Sequence, residues 1–224
     1  MTGVVEDRMT DAHLRWEIAM IKIALIIGST RPNRFADTPA KWILEGAKAY
    51  SDFEITVLDL REYKLPFFGD EATPEMTASE TWREKIAEFD GFIMTAAEYN
   101  HAPTATLKNA LDSAFHEWNN KPVSFVGYGG VGGARAIEQL RQIAVELQMA
   151  PIKNAVHINM EPFIGVMREG KTLDNYEYLV NSREAMFTQL LWWAKALKAA
   201  REPAVEKAEQ AADVEELIEE EVEA

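Results

Sequence analysis

No cysteine occurs among the 224 residues. That excludes disulfides, thiolate metal sites and a cysteine nucleophile, and it agrees with a reducing compartment. No apolar run approaches the roughly 18 residues that a membrane-spanning helix needs. The first 19 residues lack a basic stretch followed by an apolar one, so no secretory signal is read there. These absences point to a cytoplasmic chain. Histidine is scarce: His13, His101, His116 and His157 are all there are. "HEWNN" at 116–120 is not H-E-x-x-H, and no histidine–carboxylate spacing suggests a metal, so none is expected. Ser29 does not stand in G-x-S-x-G, so a hydrolase elbow is absent. His157 sits inside an apolar stretch and reads as a core residue.

Basic charge is also in short supply. The formal net charge is −14. Residues 202–224 hold ten acidic residues and one lysine, which is −9, and the other 201 residues carry only −5. No basic patch is available to displace counterions, so nucleic acid is excluded as a partner. The tail reads as a solvated, partly helical appendage. A sharper reading makes it a partner-binding arm, with Val205, Ala208, Ala212, Leu217 and Ile218 as a weak stripe. The expected division is a 1–19 extension, a 20–201 domain and a 202–224 acidic tail.

Hydrophobic residues make up 47% of the chain, enough for one sizeable core. Short Ile- and Val-rich runs predict strands near 22–27, 54–59, 91–97, 123–127 and 154–159. Helical spacing predicts helices near 39–50, 78–88, 104–117, 133–148 and 175–200. Such alternation means right-handed βαβ units and a doubly wound parallel sheet. Ligands of that architecture bind beyond the carboxyl ends of the strands. Three unusual segments fall at such ends.

"GSTRPNRFAD" (28–37) follows the first strand. Thr38 and Pro39 suit an N-cap and a first helical position, so the loop ends at a helix N-terminus that favours an anion. Ser29 and Thr30 offer hydroxyls, and Arg31 and Arg34 offer forked, charge-assisted donors. A phosphate monoester is the natural guest; the plainer alternative is a shaped turn with surface arginines. Asp37 competes for the same positive helix end. "EYNHAPTATLKNALD" (98–112) follows the third strand, and its aromatic and amide suit a flat heteroaromatic ring. The alternative there is a structural turn built on Asn100. "GYGGVGG" (127–133) follows the fourth strand. It spells G-x-G-x-x-G, but that dinucleotide fingerprint normally opens the first βαβ unit and needs an acid near the end of the next strand, and Glu161 lies later than that. A nicotinamide-dependent dehydrogenase therefore stands as a third reading. The simpler one is a glycine floor that lets a ring approach the backbone.

Taken in order, "GSTRPNR", "EYNHAPTATLKNALD" and "YGGVGGARAIEQLR" resemble the NADPH-dependent FMN reductase family, over roughly residues 20–200. These are flavodoxin-like proteins that include flavin, quinone, azo-dye and chromate reductases. The family commonly reads Pro-Glu-Tyr-Asn where this chain has Ala97-Glu98-Tyr99-Asn100. The resemblance implies a five-stranded parallel sheet in 2-1-3-4-5 order and FMN bound without covalent attachment. It implies that Ser29, Thr30, Arg31 and Arg34, with the backbone near Phe35, Ala36 and Asp37, hold the FMN phosphate. Glu98, Tyr99, Asn100 and His101 would flank the ring, and Tyr128, Gly129 and Gly130 would approach its pyrimidine edge. The implied activity is hydride transfer from NADPH or NADH to FMN and then to a flavin, quinone or similar acceptor. No catalytic acid or base is assigned, because the cofactor carries the chemistry. A homodimer or homotetramer is implied, with Trp192 and Trp193, or Phe67 and Phe68, as candidate contacts. The alternative function is a flavodoxin-like electron carrier or a flavin-binding regulatory protein.

Overall fold

The computed structural model describes residues 20–68 and 76–223, with the backbone alone for 76–77 and 202–223. The expected extension over 1–19 and the apolar stripe of the tail lie outside the described residues and side chains.

Strand β1 (Ile21–Ile27) is apolar except at Lys22 and buried except there. It lies between β2 (Phe53–Asp59) and β3 (Gly91–Ala97), parallel to both. β4 (Pro122–Tyr128) runs parallel to β3. Two short strands, β5 (Ala150–Pro151) and β6 (Val156–Ile158), pair with successive stretches of β4 on its other side. The order is therefore β2-β1-β3-β4-β5, with β6 continuing the fifth position. This is the expected α/β, flavodoxin-like arrangement.

The fifth strand differs from expectation. It is not one run over 154–159 but two pieces with a gap at 152–155. Side chains satisfy the gap's backbone: the buried Ser124 hydroxyl donates to the Asn154 carbonyl, and Arg141 donates to the carbonyls of Ile152 and Lys153. A ladder can be broken where other donors replace it.

The helices are α1 (Asp37–Ala47), α2 (Met76–Ala87), α3 (Ala105–Asp112), α4 (Ala134–Glu146), α5 (Met160–Arg168) and α6 (Glu177–Glu223). Sheet residues alternate between two cores. Ile23, Leu25 and Ile27 pack with Trp42 and Ile43 of α1 and Phe187 and Leu190 of α6. Ala24, Ile26, Phe92 and Phe125 pack with Trp82 of α2, Leu111 of α3 and Leu140 of α4. Three helical expectations need correction. α3 ends at Asp112 rather than 117, where the Trp118 indole donates to the carbonyls of Leu111 and Ala114. α1 begins at Asp37, capped by Ala36 without a side-chain bond, so Thr38 is not the cap. α5 occupies a segment read as loop.

Candidate functional site

The sheet reverses direction of winding at β1, which has β2 on one side and β3 on the other. Loops leaving β1 and β3 therefore diverge and open a crevice. A cleft of about 280 Å³ lies there, lined by residues of the 28–37 loop, the ends of β3 and β4, and Phe163 and Met167 of α5.

The loop after β1 is seated by close backbone contact. A Cβ at Gly28 would lie 2.4 Å from the Thr95 carbonyl oxygen, so only glycine fits. The Thr95 hydroxyl accepts the Gly28 N–H, and the Thr104 hydroxyl donates to the Gly28 carbonyl. Thr104 also caps α3 by accepting the Leu107 N–H. Thr30 turns away toward α3, its hydroxyl 3.4 Å from that of Thr106. Among the described residues, the N–H groups of Phe35, Ala36 and Asp37 donate to no protein acceptor. They stand at the N-terminus of α1, where free amides and the helix dipole favour an anion.

The two arginines of the loop differ. Arg34 is buried, and all its N–H groups are engaged. Its Nε and Nη2 donate to Asp37 Oδ1, its Nη1 and Nη2 grip both oxygens of Asp59, and its Nη1 also reaches the Ser29 carbonyl. Arg61 donates to the other oxygen of Asp37 at 3.1 Å. Burial disfavours the charged forms of Asp37 and Asp59, but the Arg34 bonds outweigh it and hold both below the ordinary carboxylate range. Arg31 makes no ion pair among the described residues and lines the cleft with its guanidinium 5.9 Å from the Tyr99 ring centre.

After β3, Tyr99 and Ala102 exchange two backbone hydrogen bonds, of 2.9 and 3.1 Å. Asn100 and His101 between them have φ values of 50° and 74°, a tight type I′ turn. Both side chains are exposed at its tip. Glu98 is otherwise occupied. Its carboxylate caps the N-terminus of α4 by accepting the Arg135 N–H at 3.1 Å, and it pairs with the Arg135 guanidinium. Burial opposes its charge, and Arg135 more than compensates, so Glu98 titrates below its usual range.

After β4, Tyr128 is buried against Phe35, ring centres 5.3 Å apart, and its hydroxyl has no hydrogen-bond partner. Burial pushes that phenol well above its ordinary value. Gly129 has φ 141°, and a Cβ at Gly130 would meet only Met160 Cε, at 3.9 Å. Gly132 and Gly133 have φ values of 65° and 70° and turn the chain into α4. The G-x-G-x-x-G run therefore shapes a turn whose helix end is already capped by Glu98.

Of the residues singled out in the sequence, Ser29, Arg31, Arg34, Phe35, Glu98, Tyr99, Tyr128 and Gly129 line the cleft. Thr30, Ala36, Asp37, Asn100, His101 and Gly130 are not among its lining residues. Sequence reasoning missed Asn33, Ala97, Phe163 and Met167. The last two were legible in principle: Met160, Phe163, Ile164 and Met167 recur at helical spacing.

Residues 21–162 match the family model of NADPH-dependent FMN reductases. An NAD(P)H-dependent FMN reductase of Schizosaccharomyces pombe is 34% identical over 152 residues, 64% of this chain and 76% of that protein. An NADPH:quinone oxidoreductase of Arabidopsis thaliana is 31% identical over 138 residues, 58% of this chain and 69% of that protein. Among solved structures, the flavoenzyme NAD(P)H:(acceptor) oxidoreductase FerB of Paracoccus denitrificans superposes with a TM-score of 0.62 at 19% identity, covering 79% of this chain and 98% of that one. That last likeness speaks for the fold alone. With the switch-point cleft, the three loops in order and the matched span together, the chain belongs to the NADPH-dependent FMN reductase family.

Proposed function

We propose that the cleft at the β1–β3 switch point holds FMN, phosphate on the 28–37 loop and ring over the ends of β3 and β4. The protein is an FMN-dependent NAD(P)H oxidoreductase, as its family is. Four features of the cleft fit the group. Among the described residues the amides of residues 35–37 have no protein acceptor, and the Arg31 guanidinium, without an acidic partner, lines the cleft. Tyr128 offers a buried hydroxyl with no partner. Gly129 and Gly130 leave the backbone approachable. The unpaired amides of residues 35–37 carry the reading most directly, because free N–H groups at a helix start are a ready anion site.

Bound FMN supplies the redox chemistry, taking a hydride from NAD(P)H and passing reducing equivalents to a flavin, quinone or similar small acceptor. The chain's own work is placement. Arg31 and the α1 amides neutralise the phosphate. Tyr99, 39% exposed, forms the outer wall where the ring meets solvent. Buried Phe35, with Phe163 packed on it, forms the inner wall, and the exposed Met167 lines the rim. Ser29, which lines the cleft, would stand beside the phosphate. Glu98, Asn100 and His101 act through the turn and its backbone rather than through ring contacts. Residues 20–201 make up the FMN-binding unit, with the acidic tail outside it.

The exposed Phe67, Phe68 and Trp192 supply apolar surface for self-association as a homodimer or homotetramer. Sedimentation of the purified chain tests this, and a monomer at all concentrations refutes it. A cytoplasmic location follows the same reading, supported by the lack of cysteine; cell fractionation checks it.

The decisive experiment is spectral. Purified protein should be yellow, or become so on adding FMN, and should bleach with NADPH and recolour with a quinone. A flavoprotein that NAD(P)H cannot reduce would be a carrier instead. Failure to bind FMN would defeat the reading.

A further inference from the structure

Arg34 lines the cleft yet has nothing left to give a ligand. A guanidinium carries five N–H bonds, and here all five are spent on Asp37, Asp59 and the Ser29 carbonyl. Its side chain is 2% exposed. Asp59 closes β2, next to β1, so the arginine ties the loop after β1 to the end of the neighbouring strand. Asp59 also accepts the Arg61 N–H at 3.0 Å, and Arg61 returns to Asp37. Two arginines and two carboxylates thus form a closed set of zero formal charge against the phosphate loop. Such an arrangement adds little net positive potential to the cleft. What it supplies is geometry: it holds the Ser29 carbonyl, the first residue of α1 and the end of β2 at fixed distances.

We propose that Arg34 is a positioning residue, locked by Asp59 and Asp37, that preshapes the loop so that the α1 amides and Arg31 meet a phosphate monoester. This rests on the FMN reading above. The competing idea makes Arg34 a direct phosphate ligand whose charge does the work.

The two ideas differ in sign. Asp59→Asn removes a negative charge from the loop and frees half of the Arg34 fork. If charge decides, FMN binds more tightly. If the brace decides, the loop loosens and FMN binds more weakly. Asp37→Asn, at a half-exposed position, makes the same test with less risk to folding. Each flavin-free full-length variant would be titrated with FMN and with riboflavin, following flavin fluorescence, beside a thermal melt. The expected result is a loss of roughly tenfold in FMN affinity for both variants, with riboflavin affinity nearly unchanged because it lacks the phosphate. Arg34→Lys keeps the charge and loses the fork, and should lose as much. Tighter FMN binding by Asp59→Asn or Asp37→Asn overturns the brace. So does an equal loss for both flavins, which marks a general lesion, or full retention by Arg34→Lys. A wild-type protein that shows no preference for FMN over riboflavin takes down the phosphate-site reading itself, and the brace with it.

Discussion

Arg31 and Arg34 stand three positions apart in one loop and end in opposite situations, one facing the cleft without an acid and the other consumed by two. On the proposed reading, direct phosphate contact falls to Arg31. Arg31→Ala should weaken FMN binding roughly tenfold to a hundredfold while leaving riboflavin binding unchanged. Fluorescence titration reads both, and an unaltered FMN affinity would move the phosphate elsewhere. Tyr128 makes a second test at this scale. Its hydroxyl is buried without a partner, so Tyr128→Phe should leave the flavin-free protein as stable as before, or slightly more so. The same change should lower FMN affinity several-fold if the ligand completes that hydroxyl. A loss of more than about 1 kcal/mol of flavin-free stability in denaturant unfolding would show that the hydroxyl is already bonded. The sequence made the chemistry of these residues visible but not their partners. Asp59 lies 25 positions from Arg34, and only the β1–β2 pairing brings it near. Asp37, which looked like a competitor for the anion, is the second anchor of that arginine.

Among the elements, α5 is the one that sequence periodicity contained and local signals hid. Its Glu161-Pro162 pair looks like a break, but Pro162 is the third helical residue, where the missing N–H costs nothing. The helix docks through Gly165: a Cβ there would lie 2.0 Å from the Tyr176 hydroxyl oxygen, itself unpartnered. Gly165→Ala should therefore destabilise the fold by about 1–3 kcal/mol through overpacking. Tyr176→Phe removes the clashing atom and should recover part of that loss in the double variant. Chemical unfolding of the four proteins measures the coupling, and strictly additive effects would count against the contact. Because Phe163 and Met167 project from this helix into the cleft, the glycine variant should also weaken flavin binding. The split fifth strand has a similar origin. Its apolar residues forecast a strand, whereas Ser124, Arg141 and Gln189, distant in sequence, supply the bonds that allow the gap.

Across the whole molecule, buried charge makes stability rise with pH in two separate windows. Asp37, Asp59 and Glu98 all titrate below the ordinary carboxylate value in the folded chain. A folded pKa below the unfolded one means that their stabilisation is complete above about pH 4. It is lost as pH falls further, through the folded values. Thermal melts from pH 6 down to 3 should show that loss, with a shallower slope for Asp59→Asn. Lys121 gives the same sign in a higher window, because there it is the neutral form that burial favours. It is buried at the foot of β4, donates to the carbonyls of Ile86 and Ala87 at the end of α2, and burial lowers its pKa to about 8. Between about pH 8 and the unfolded lysine value near 10.4, the unfolded chain binds the extra proton. Stability should therefore rise with pH across that window relative to Lys121→Met. Parallel curves for the two proteins would refute the assignment.

What the sequence by itself determined is whatever depends on neighbours along the chain. Alternating apolar runs set strands against helices, and with them a doubly wound parallel sheet; its 2-1-3-4-5 order was implied by the family resemblance. The placing of three chemically marked loops at strand ends then gathered their hydroxyl, guanidinium and aromatic groups at one rim. Only the tertiary structure decided how the donors and acceptors were shared out. Arg34 went to Asp59 and Glu98 to Arg135, the 35–37 amides stayed open, and α5 closed the inner wall. The physical reason is that a charge or hydrogen bond belongs to whichever partner the fold brings within about 3 Å. Sequence spacing does not encode that distance between strands.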